Sequence, residues 1–369
     1  MKKRVKLQMG KKLEAKKSIK DLGKKLVDDI NNSRNPSMDV PIRNLSNVFF
    51  DQKSKLITLG TNISKRYFFN VAHVRKFVQT VETAATAKEL LDVDKHLSLR
   101  EVFYRIKRTI PNTNINVVEE QDESNKAIED LELITSCSRE QLHINANKMG
   151  SVAGKVAIKD KGDTVDWSKL GSGGWSIPSN VEEIEFKKVD AKFVIYMEKA
   201  AEWERLHEDR VWEKLNCIIM SSQGQATRGV RRLLQRLHTE HKLPVYVLVD
   251  LDPWGVYIYS VLRFGSISLA HISESLAIPD AKLLGLTPYD IEEFELKKHL
   301  INFKEVDLKR LNDLAKYDWF KDKKNWQDFF KKMKDLKGKV ELAALSSKGI
   351  SFISDTYIPE KLKRKEWFE

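Results

Sequence analysis

The 369-residue chain has little cysteine: Cys137 and Cys217 are its only two, and they lie far apart. Such a pair gives neither a disulfide framework nor the close spacing of a zinc site. No segment approaches the roughly 20 apolar residues of a membrane-spanning helix. The N-terminus is basic but lacks the apolar segment of a secretory signal. We therefore expect an intracellular, cytoplasmic protein with no membrane contact.

Nucleotide-binding motifs are also absent. Residues 150–156 (Gly-Ser-Val-Ala-Gly-Lys-Val) superficially resemble a phosphate-binding loop. The segment is one residue too short, and it lacks the Ser or Thr that would hold Mg²⁺. No Gly-x-Gly-x-x-Gly motif follows a predicted strand either. If the protein takes part in ATP-driven work, the ATPase therefore belongs to another chain.

Positive charge, in contrast, is abundant. The chain has 65 Lys and Arg residues against 53 Asp and Glu, a formal net charge of +12 and a pI near 9.3. This balance favours a polyanionic partner, and nucleic acid fits better than a membrane surface. The 41% of hydrophobic residues is ample for globular folding, and the length favours two or three domains.

The basic N-terminal region, residues 1–64, is expected to contact a partner. Its first 25 residues hold eleven Lys or Arg and two acids, and apolar residues at helical spacing follow. Residues 1–16 are interpreted either as a solvated tail or as an arm that contacts a partner protein or DNA phosphates. Residues 46–59 predict a β-hairpin. The apolar stripe consists of Ile19, Leu22, Leu26, Val27 and Ile30.

Residues 65–160 show three apolar patterns of helical period. The first runs through Phe69, Val71 and Phe77 and predicts a well-buried helix. Residues 150–158, with Gly154 in the middle, predict a short hairpin. Helices followed by a hairpin, with basic residues throughout, are typical of a winged helix-turn-helix domain.

The remainder of the chain is predicted to be an α/β domain. Residues 161–190 are rich in glycine and are interpreted as a linker. Strands at 193–197, 217–220 and 245–249 alternate with helices across residues 191–369, which predicts a parallel sheet with right-handed crossovers. A lysine-rich helical extension follows from about residue 299.

Two acids directly follow the third of these strands. Because side chains alternate along a strand, Asp250 and Asp252 project to the same side. Glu198 follows the first strand, so it can reach the same carboxyl edge of the sheet. Three carboxylates there make a plausible Mg²⁺ site. The alternatives are that Asp252 caps the helix beginning at Pro253 and that Glu198 interacts with the positive end of the next helix.

A candidate nucleophile lies in the earlier helical region. Arg100 precedes Tyr104 by four residues, a spacing that places both on one face of a helix. Tyrosine, with a pKa of about 10, is a weak nucleophile, but a guanidinium and a metal ion stabilise the phenolate and the charge that develops on a phosphate. The alternative is a half-buried structural tyrosine.

In combination, these segments resemble one family closely: the A subunit of DNA topoisomerase VI and its eukaryotic relatives that make meiotic double-strand breaks. The resemblance extends from about Lys65 to the C-terminus. One departure is Ser-Ser-Gln-Gly-Gln-Ala-Thr-Arg at 221–228, where relatives usually carry Gly-Lys-Gly. The matching segments are Phe-Asn-Val-Ala-His-Val-Arg-Lys-Phe (69–77), Arg-Glu-Val-Phe-Tyr (100–104), Met-Glu-Lys (197–199), Asp-Leu-Asp-Pro-Trp-Gly (250–255) and Leu-Ser-Ser-Lys-Gly-Ile (345–350).

The resemblance implies a CAP-like winged-helix domain with Tyr104 as the catalytic tyrosine and Arg100 as its arginine. A Toprim domain would follow and bind Mg²⁺ through Glu198, Asp250 and Asp252. It further implies that Tyr104 becomes linked to a DNA 5′ phosphate in a transient double-strand break, through which a second duplex passes for relaxation or decatenation. The implied partners are double-stranded DNA, a second copy of the chain in a homodimer, and a GHKL-type ATPase B subunit in an A₂B₂ assembly associated with the nucleoid.

Three other hypotheses remain open. A metal-dependent Toprim nuclease would hydrolyse DNA without using a tyrosine. A break-forming transesterase would cut DNA without passing a second duplex through the break. A winged-helix DNA-binding protein would keep the acids for structural reasons alone.

Overall fold

The computed structural model describes the backbone of residues 2–369 and the side chains of residue 10 and residues 12–369. The chain forms two compact units. The first comprises Met1–Val48 and Leu59–Asn147, and the second comprises Phe49–Thr58 and Lys148–Glu369. Within the part of the chain that is described, no helix is both long and apolar enough to cross a membrane.

Helices and short strands alternate along most of the chain. The helices are α1 (Lys2–Asn31), α2 (Val71–Val93), α3 (Leu99–Ile106), α4 (Gln121–Thr135), α5 (Ala200–Glu208), α6 (Val211–Lys214), α7 (Arg228–His241), α8 (Pro253–Phe264), α9 (Ser273–Leu276), α10 (Asp290–Glu293), α11 (Glu305–Lys316), α12 (Lys324–Asp335) and α13 (Ile358–Arg364). The strands are β1 (Ser37–Pro41), β2 (Val48–Asp51), β3 (Leu56–Leu59), β4 (Ile63–Tyr67), β5 (Leu97–Ser98), β6 (Ile144–Asn145), β7 (Ser151–Gly154), β8 (Val156–Asp160), β9 (Asp163–Asp166), β10 (Trp175–Ser176), β11 (Glu185–Val189), β12 (Val194–Met197), β13 (Ile218–Ser221), β14 (Val245–Leu248), β15 (Lys282–Gly285), β16 (Ile301–Asn302) and β17 (Gly338–Lys339).

The main core of the first unit is shared by α1, α2, α3, α4 and β1, which pairs with β4, and a smaller apolar cluster forms around Phe103 and Ile106 of α3. The predicted N-terminal helix is confirmed as α1. Ile19 and Leu22 are buried in this core and Leu26 packs against it. Val27 and Ile30, at the end of the helix, are 54% and 62% exposed. The inner part of the apolar stripe is therefore used within the unit.

The predicted burial at the start of α2 is wrong. Phe69 is 73% exposed and Val71 is 96% exposed, whereas Phe77 is buried as predicted. Asn70 is the N-cap of the helix, and its side chain accepts a hydrogen bond from Ala72 N at 2.9 Å. Phe69 therefore precedes the helix and Val71 occupies its first position, so neither is far enough along the helix to face its buried side.

The predicted hairpin at residues 150–158 is also wrong. Strands β7 and β8 do not pair with each other; β7 pairs with β10 and β13, and β8 pairs with β9 and β11. Only Lys155 separates β7 from β8, and a β-hairpin commonly needs at least two loop residues. The chain therefore passes from one sheet into another instead of folding back.

Strands at 48–51 and 56–59 form the hairpin predicted for residues 46–59.

Residues 161–190, predicted to be a linker, contribute to the three-stranded sheet β11-β8-β9 and contain β10. Trp167, Ile177, Val181 and Ile184 in this stretch are buried. Glycine-rich sequence thus accompanies core residues in this part of the second unit.

The predicted parallel α/β sheet is confirmed in the second unit. Its order is β10-β7-β13-β12-β14-β15, and β13, β12, β14 and β15 run parallel. All residues of β12, β13 and β14 are buried, as expected for strands covered on both faces. Strands β13 and β14 flank β12, so their connections leave in opposite directions and open a crevice at the carboxyl edge.

The helical connection between β12 and β13 is divided into two helices, α5 and the short α6. The break is at Arg210, which precedes α6 with a φ of +52°. This backbone conformation is left-handed and cannot continue a helix.

The C-terminal region reaches back to the carboxyl edge of the sheet. Leu251 and Val340 form an antiparallel bridge, with N–O distances of 2.9 and 3.1 Å. This bridge places Glu341 and Leu342 beside the end of β14. Residues far apart in sequence thus meet at the crevice.

Candidate active site

Helix α3 presents Tyr104 to solvent. The helix begins with a capping box, in which Ser98 Oγ accepts from Glu101 N at 3.2 Å and Glu101 Oε2 accepts from Ser98 N at 2.7 Å. This box satisfies amide groups that the first turn leaves without helical partners. Phe103 is 5% exposed and faces the core, whereas Tyr104 is 61% exposed. The hypothesis of a half-buried structural tyrosine is therefore wrong.

Arg100 and Tyr104 are in contact, as their spacing predicts. Arg100 Nη2 donates to Tyr104 Oη at 3.2 Å, and the guanidinium carbon lies 5.2 Å from the tyrosine ring centroid. The same carbon lies 5.6 Å from the ring of Phe103. The phenolic oxygen thus has a permanent positive charge within hydrogen-bond distance while remaining open to solvent.

Gln121, which sequence reasoning missed, orients this arginine. It is the first residue of α4; its Oε1 accepts from Arg100 Nη1 at 3.4 Å and its Nε2 donates to Leu99 O at 3.1 Å. No motif marks it in the sequence. It is recognised only through the packing of α4 against α3.

The neighbouring basic residues have different roles. Arg105 forms an ion pair with Glu89, and Arg108 forms one with Glu82. Lys107 Nζ donates to Glu119 O at 3.2 Å. Arg100, whose nearest partners are neutral oxygens, is therefore the arginine of α3 whose charge is directed at Tyr104.

The second group of candidate residues lies in the second unit, at the carboxyl edge of its sheet. Glu198 follows β12 directly, and Asp250 lies two residues after the end of β14. Met197 is in register with Leu248 in the parallel pair β12–β14. The two acids therefore leave neighbouring strands at nearly the same level, as the sequence predicts.

Asp250 is held firmly at both of its oxygens. It is 7% exposed, and its Oδ1 accepts from Leu342 N at 2.8 Å. Its Oδ2 lies 2.6 Å from Lys199 Nζ, which is also 3.4 Å from Glu341 Oε1. The ammonium thus connects the end of β14 with the C-terminal region.

Asp252 is the N-cap of α8, with Pro253 at the first helical position, so the capping alternative is confirmed. Its Oδ1 accepts a hydrogen bond from Gly255 N. A Cβ at residue 255 would lie 2.5 Å from Asp250 O and 3.2 Å from Asp252 Oδ1. Glycine is therefore required for this close approach. Asp252 Oδ2 takes no part in the capping contact.

Burial and mutual repulsion change the acidity of these groups. Burial, together with the carboxylates of Asp250 and Asp252, raises the pKa of Glu198 to about 7. Burial also raises the pKa of Asp252, opposed by the Gly255 amide and assisted by Asp250. Burial alone would lower the pKa of Lys199, but its hydrogen bond to Asp250 and the nearby carboxylates raise it. The three acids therefore share one region where added positive charge is favourable.

This region also suits Mg²⁺ in its donor chemistry, because carboxylate oxygens are the ligands that Mg²⁺ takes in proteins. Among the residues whose side chains the structure describes, however, no three His, Cys, Asp or Glu side chains converge closely enough to share one ion. Lys199 instead supplies the cation at Asp250. The acids therefore fit Mg²⁺ in the type of ligand that they offer and in their mutual repulsion, but their side chains do not converge on one point in this structure.

Sequence reasoning missed three charged residues of this region: Lys199, Glu202 and Glu341. Lys199 follows Glu198, and Glu202 lies on the first turn of α5 with 7% exposure. Because Lys199 and Glu202 lie close to Glu198 in sequence, the sequence could have indicated that both belong to this region. Glu341 carried no such signal, since it lies 91 residues from Asp250 and is brought to Lys199 by the Leu251–Val340 bridge.

The loop that departs from the family pattern packs against the same edge. Gly224 N donates to Glu198 O at 2.9 Å, and the hydroxyl groups of Ser222 and Tyr196 are 2.5 Å apart. Thr227 caps α7 by accepting from Val230 N at 3.4 Å. The loop therefore supports the backbone of Glu198 through Gly224, although it lacks the Gly-Lys-Gly stretch.

Comparison with known proteins covers almost the whole chain. Residues 193–362 match the family model of the Toprim domain shared by the A subunit of topoisomerase 6 and Spo11. Residues 75–144 match the model described as "Type IIB DNA topoisomerase", and residues 139–190 match "All-beta domain in DNA topoisomerase VI alpha subunit".

Curated relatives give the same result. A protein of Pyrococcus horikoshii, named as the A subunit of type 2 DNA topoisomerase 6, is 44% identical over 94% of this chain and 93% of its own length. Proteins of the same name from Sulfurisphaera tokodaii and Methanocaldococcus jannaschii are 38% and 37% identical. They cover 96% and 95% of this chain and 96% and 94% of their own lengths.

Proposed function

The chain belongs to the DNA topoisomerase VI A-subunit family, and on that premise we propose that it cleaves DNA with Tyr104 as the nucleophile. The observation that carries this proposal is the pair formed by an exposed Tyr104 and Arg100, 3.2 Å apart at the phenolic oxygen. The adjacent Phe103 is buried, so Tyr104 is the side chain at this place that a DNA phosphate can reach.

The proposed reaction exchanges one phosphodiester for another. Tyr104 Oη bonds to the phosphorus, the bond from phosphorus to the deoxyribose O3′ breaks, and the phenolic proton is lost as the O3′ gains one. The products are a 5′-phosphotyrosyl link and a free 3′ hydroxyl. Because the ester bond is conserved, religation needs no ATP. Arg100 stabilises both the phenolate and the charge that develops on the phosphate.

The proposed metal site consists of Glu198, Asp250 and Asp252. Mg²⁺ bound there supplies charge stabilisation for the attacking and leaving oxygens. Asp250 would bind through oxygen lone pairs that the Leu342 amide and Lys199 leave unused, and Asp252 would bind through the oxygen that does not cap α8. Burial and, after it, repulsion by Asp250 and Asp252 raise the pKa of Glu198, and this supports a cation at this position.

The proposed assembly follows the family. Two copies of this chain would form the cleaving dimer on double-stranded DNA, and a GHKL-type ATPase would complete an A₂B₂ complex. In that arrangement each tyrosine meets the acids of the other copy, so both strands are cut and a second duplex passes through. ATP binding would then belong to the partner ATPase.

The product ends distinguish this proposal from the nuclease hypothesis. The complex would be incubated with supercoiled plasmid and Mg²⁺ and then stopped with denaturant. We expect linear DNA whose 5′ ends carry protein and whose 3′ ends are free for polymerase extension. Linear DNA with protein-free 5′ phosphates, cut equally well by Tyr104→Phe, would contradict the proposal and indicate hydrolysis.

A further inference from the structure

The acidic centre contains a cation of its own, the ammonium of Lys199. It lies 2.6 Å from Asp250 Oδ2 and 3.4 Å from Glu341 Oε1, and its side chain is 37% exposed. Lys199 is also the N-cap residue of α5, directly after β12. Its backbone is therefore fixed by the sheet, and its charge is held at one place.

A further carboxylate faces this ammonium from α5. Glu202 is 7% exposed, and its Oε2 has no hydrogen-bond partner. It interacts electrostatically with Asp250, Lys199 and Glu341. A buried carboxylate oxygen without a hydrogen-bond partner is costly unless a positive charge is close. Lys199 forms ion pairs with Asp250 and Glu341 and attracts Glu202 at longer range.

In this arrangement the Lys199 ammonium supplies the positive charge that one ion of a two-metal site would supply. Two-metal centres place their ions about 3.5–4 Å apart, and both ions act on the oxygens of the displaced bond. In this chain Asp250 has one oxygen on the Leu342 amide and the other on Lys199. A second divalent ion on the Glu202 and Glu341 side would have to displace the ammonium.

We propose that Lys199 is the built-in second cation of the acidic centre, so that a single divalent ion completes it. The proposal rests on the Mg²⁺ site formed by Glu198, Asp250 and Asp252. It assigns Lys199 as a positioning residue that neutralises Asp250 and Glu341 and leaves the remaining oxygen lone pairs of Asp250 for one ion.

The test counts bound ions without using activity. Mn²⁺ would be titrated into the full-length chain in the absence of DNA, and bound Mn²⁺ would be followed by electron paramagnetic resonance. We expect one ion per chain for the unaltered protein. Lys199→Met, which removes the charge and keeps the apolar stem, is expected to bind a second ion, and Lys199→Arg is expected to bind one.

The matched control is Lys214→Met, which removes a lysine paired with Asp355 at 2.8 Å elsewhere in the same unit; it should bind one ion. Lys199→Gln is a second, polar variant in case Lys199→Met does not fold, as judged by circular dichroism. Two ions in the unaltered protein, or a single ion in the folded Lys199→Met and Lys199→Gln proteins, would overturn the inference while leaving the metal site in place.

Asp250→Ala distinguishes failure of the metal site from failure of the role given to Lys199. If the unaltered chain binds one ion and Asp250→Ala binds none, the metal site stands and only the Lys199 comparison decides the inference. If the unaltered chain and Asp250→Ala both bind none, the proposed metal site fails and the inference about Lys199 fails with it.

Discussion

Removing the guanidinium beside Tyr104 should slow DNA cleavage without harming the fold. Arg100 is exposed, and alanine favours helix, so Arg100→Ala should leave α3 intact. The variant loses the hydrogen bond to Tyr104 Oη, at 3.2 Å, and a positive charge beside the developing phosphate charge. A hydrogen bond to a charged group is worth about 1.5–3 kcal/mol, which corresponds to a loss of about ten- to a hundredfold in the cleavage rate.

The assay is the single-turnover appearance of DNA covalently bound to protein, in the complex with the partner ATPase and with Mg²⁺ present. Arg100→Lys should lie between the unaltered protein and Arg100→Ala, because lysine keeps the charge but not the planar fork that contacts Tyr104 and Gln121 together. Arg105→Ala is the matched control on the same helix, since Arg105 is paired with Glu89.

Cleavage by Arg100→Ala within about twofold of the unaltered protein would refute this reasoning, because that loss is smaller than the worth of one such hydrogen bond. An Arg105→Ala protein as slow as Arg100→Ala would refute it as well. That result would mean that general positive charge on α3, and not the contact with Tyr104, supports cleavage.

Asp290→Ala should lower the free energy of unfolding of the second unit by about 3–5 kcal/mol, as measured by urea unfolding. The reason is that the buried Lys361, whose Nζ lies 2.8 Å from Asp290 Oδ1, loses its nearest acid. A loss below about 1 kcal/mol would contradict this prediction. Asp250→Ala should abolish Mg²⁺-dependent cleavage and leave DNA binding intact, measured by fluorescence anisotropy; retained cleavage would show that the acids are structural. DNA affinity should fall steeply with salt and depend little on sequence, because the net charge is +12. An affinity that stayed flat between low and physiological salt would contradict phosphate-directed binding.

The sequence predicted the acidic edge well because its signals are local. The continuously apolar β14 and the alternation of strand side chains located Asp250 and Asp252, and Glu198 followed from the same pattern on β12. The i, i+4 spacing likewise predicted that Arg100 and Tyr104 are in contact. Each inference used only geometry within one element or between neighbouring parallel strands.

The failures arose where local pattern and tertiary pairing differ. Residues 150–158 have the composition of a hairpin, but the strands on either side of Lys155 join different sheets. The start of α2 carries two apolar residues, Phe69 and Val71, that are exposed. Because Asn70 is the N-cap, Phe69 precedes the helix and Val71 is its first residue, so neither lies on the buried face. Periodicity alone did not show which turn of the helix meets the core.

The partners of Asp250 and Arg100, two of the candidate site residues, could not be predicted from the sequence for the same reason. Glu341 is brought to Lys199, the partner of Asp250, by an antiparallel bridge, and Gln121 reaches Arg100 through the packing of two helices. Asp252 illustrates the intermediate case. The sequence predicted its capping role, because Pro253 follows it. The proposed binding of a metal ion depends on Oδ2, the oxygen that does not accept from Gly255 N.

The central claim is that Tyr104 becomes covalently joined to DNA, and peptide mapping tests it most directly. The trapped protein–DNA complex would be digested with nuclease and then with trypsin, and mass spectrometry would locate the nucleotide that remains attached. We predict a 5′-nucleotide on Tyr104 and on no other residue, with none on the Tyr104→Phe protein. A nucleotide attached to a different side chain, or DNA cleaved with no attached nucleotide at all, would contradict the claim.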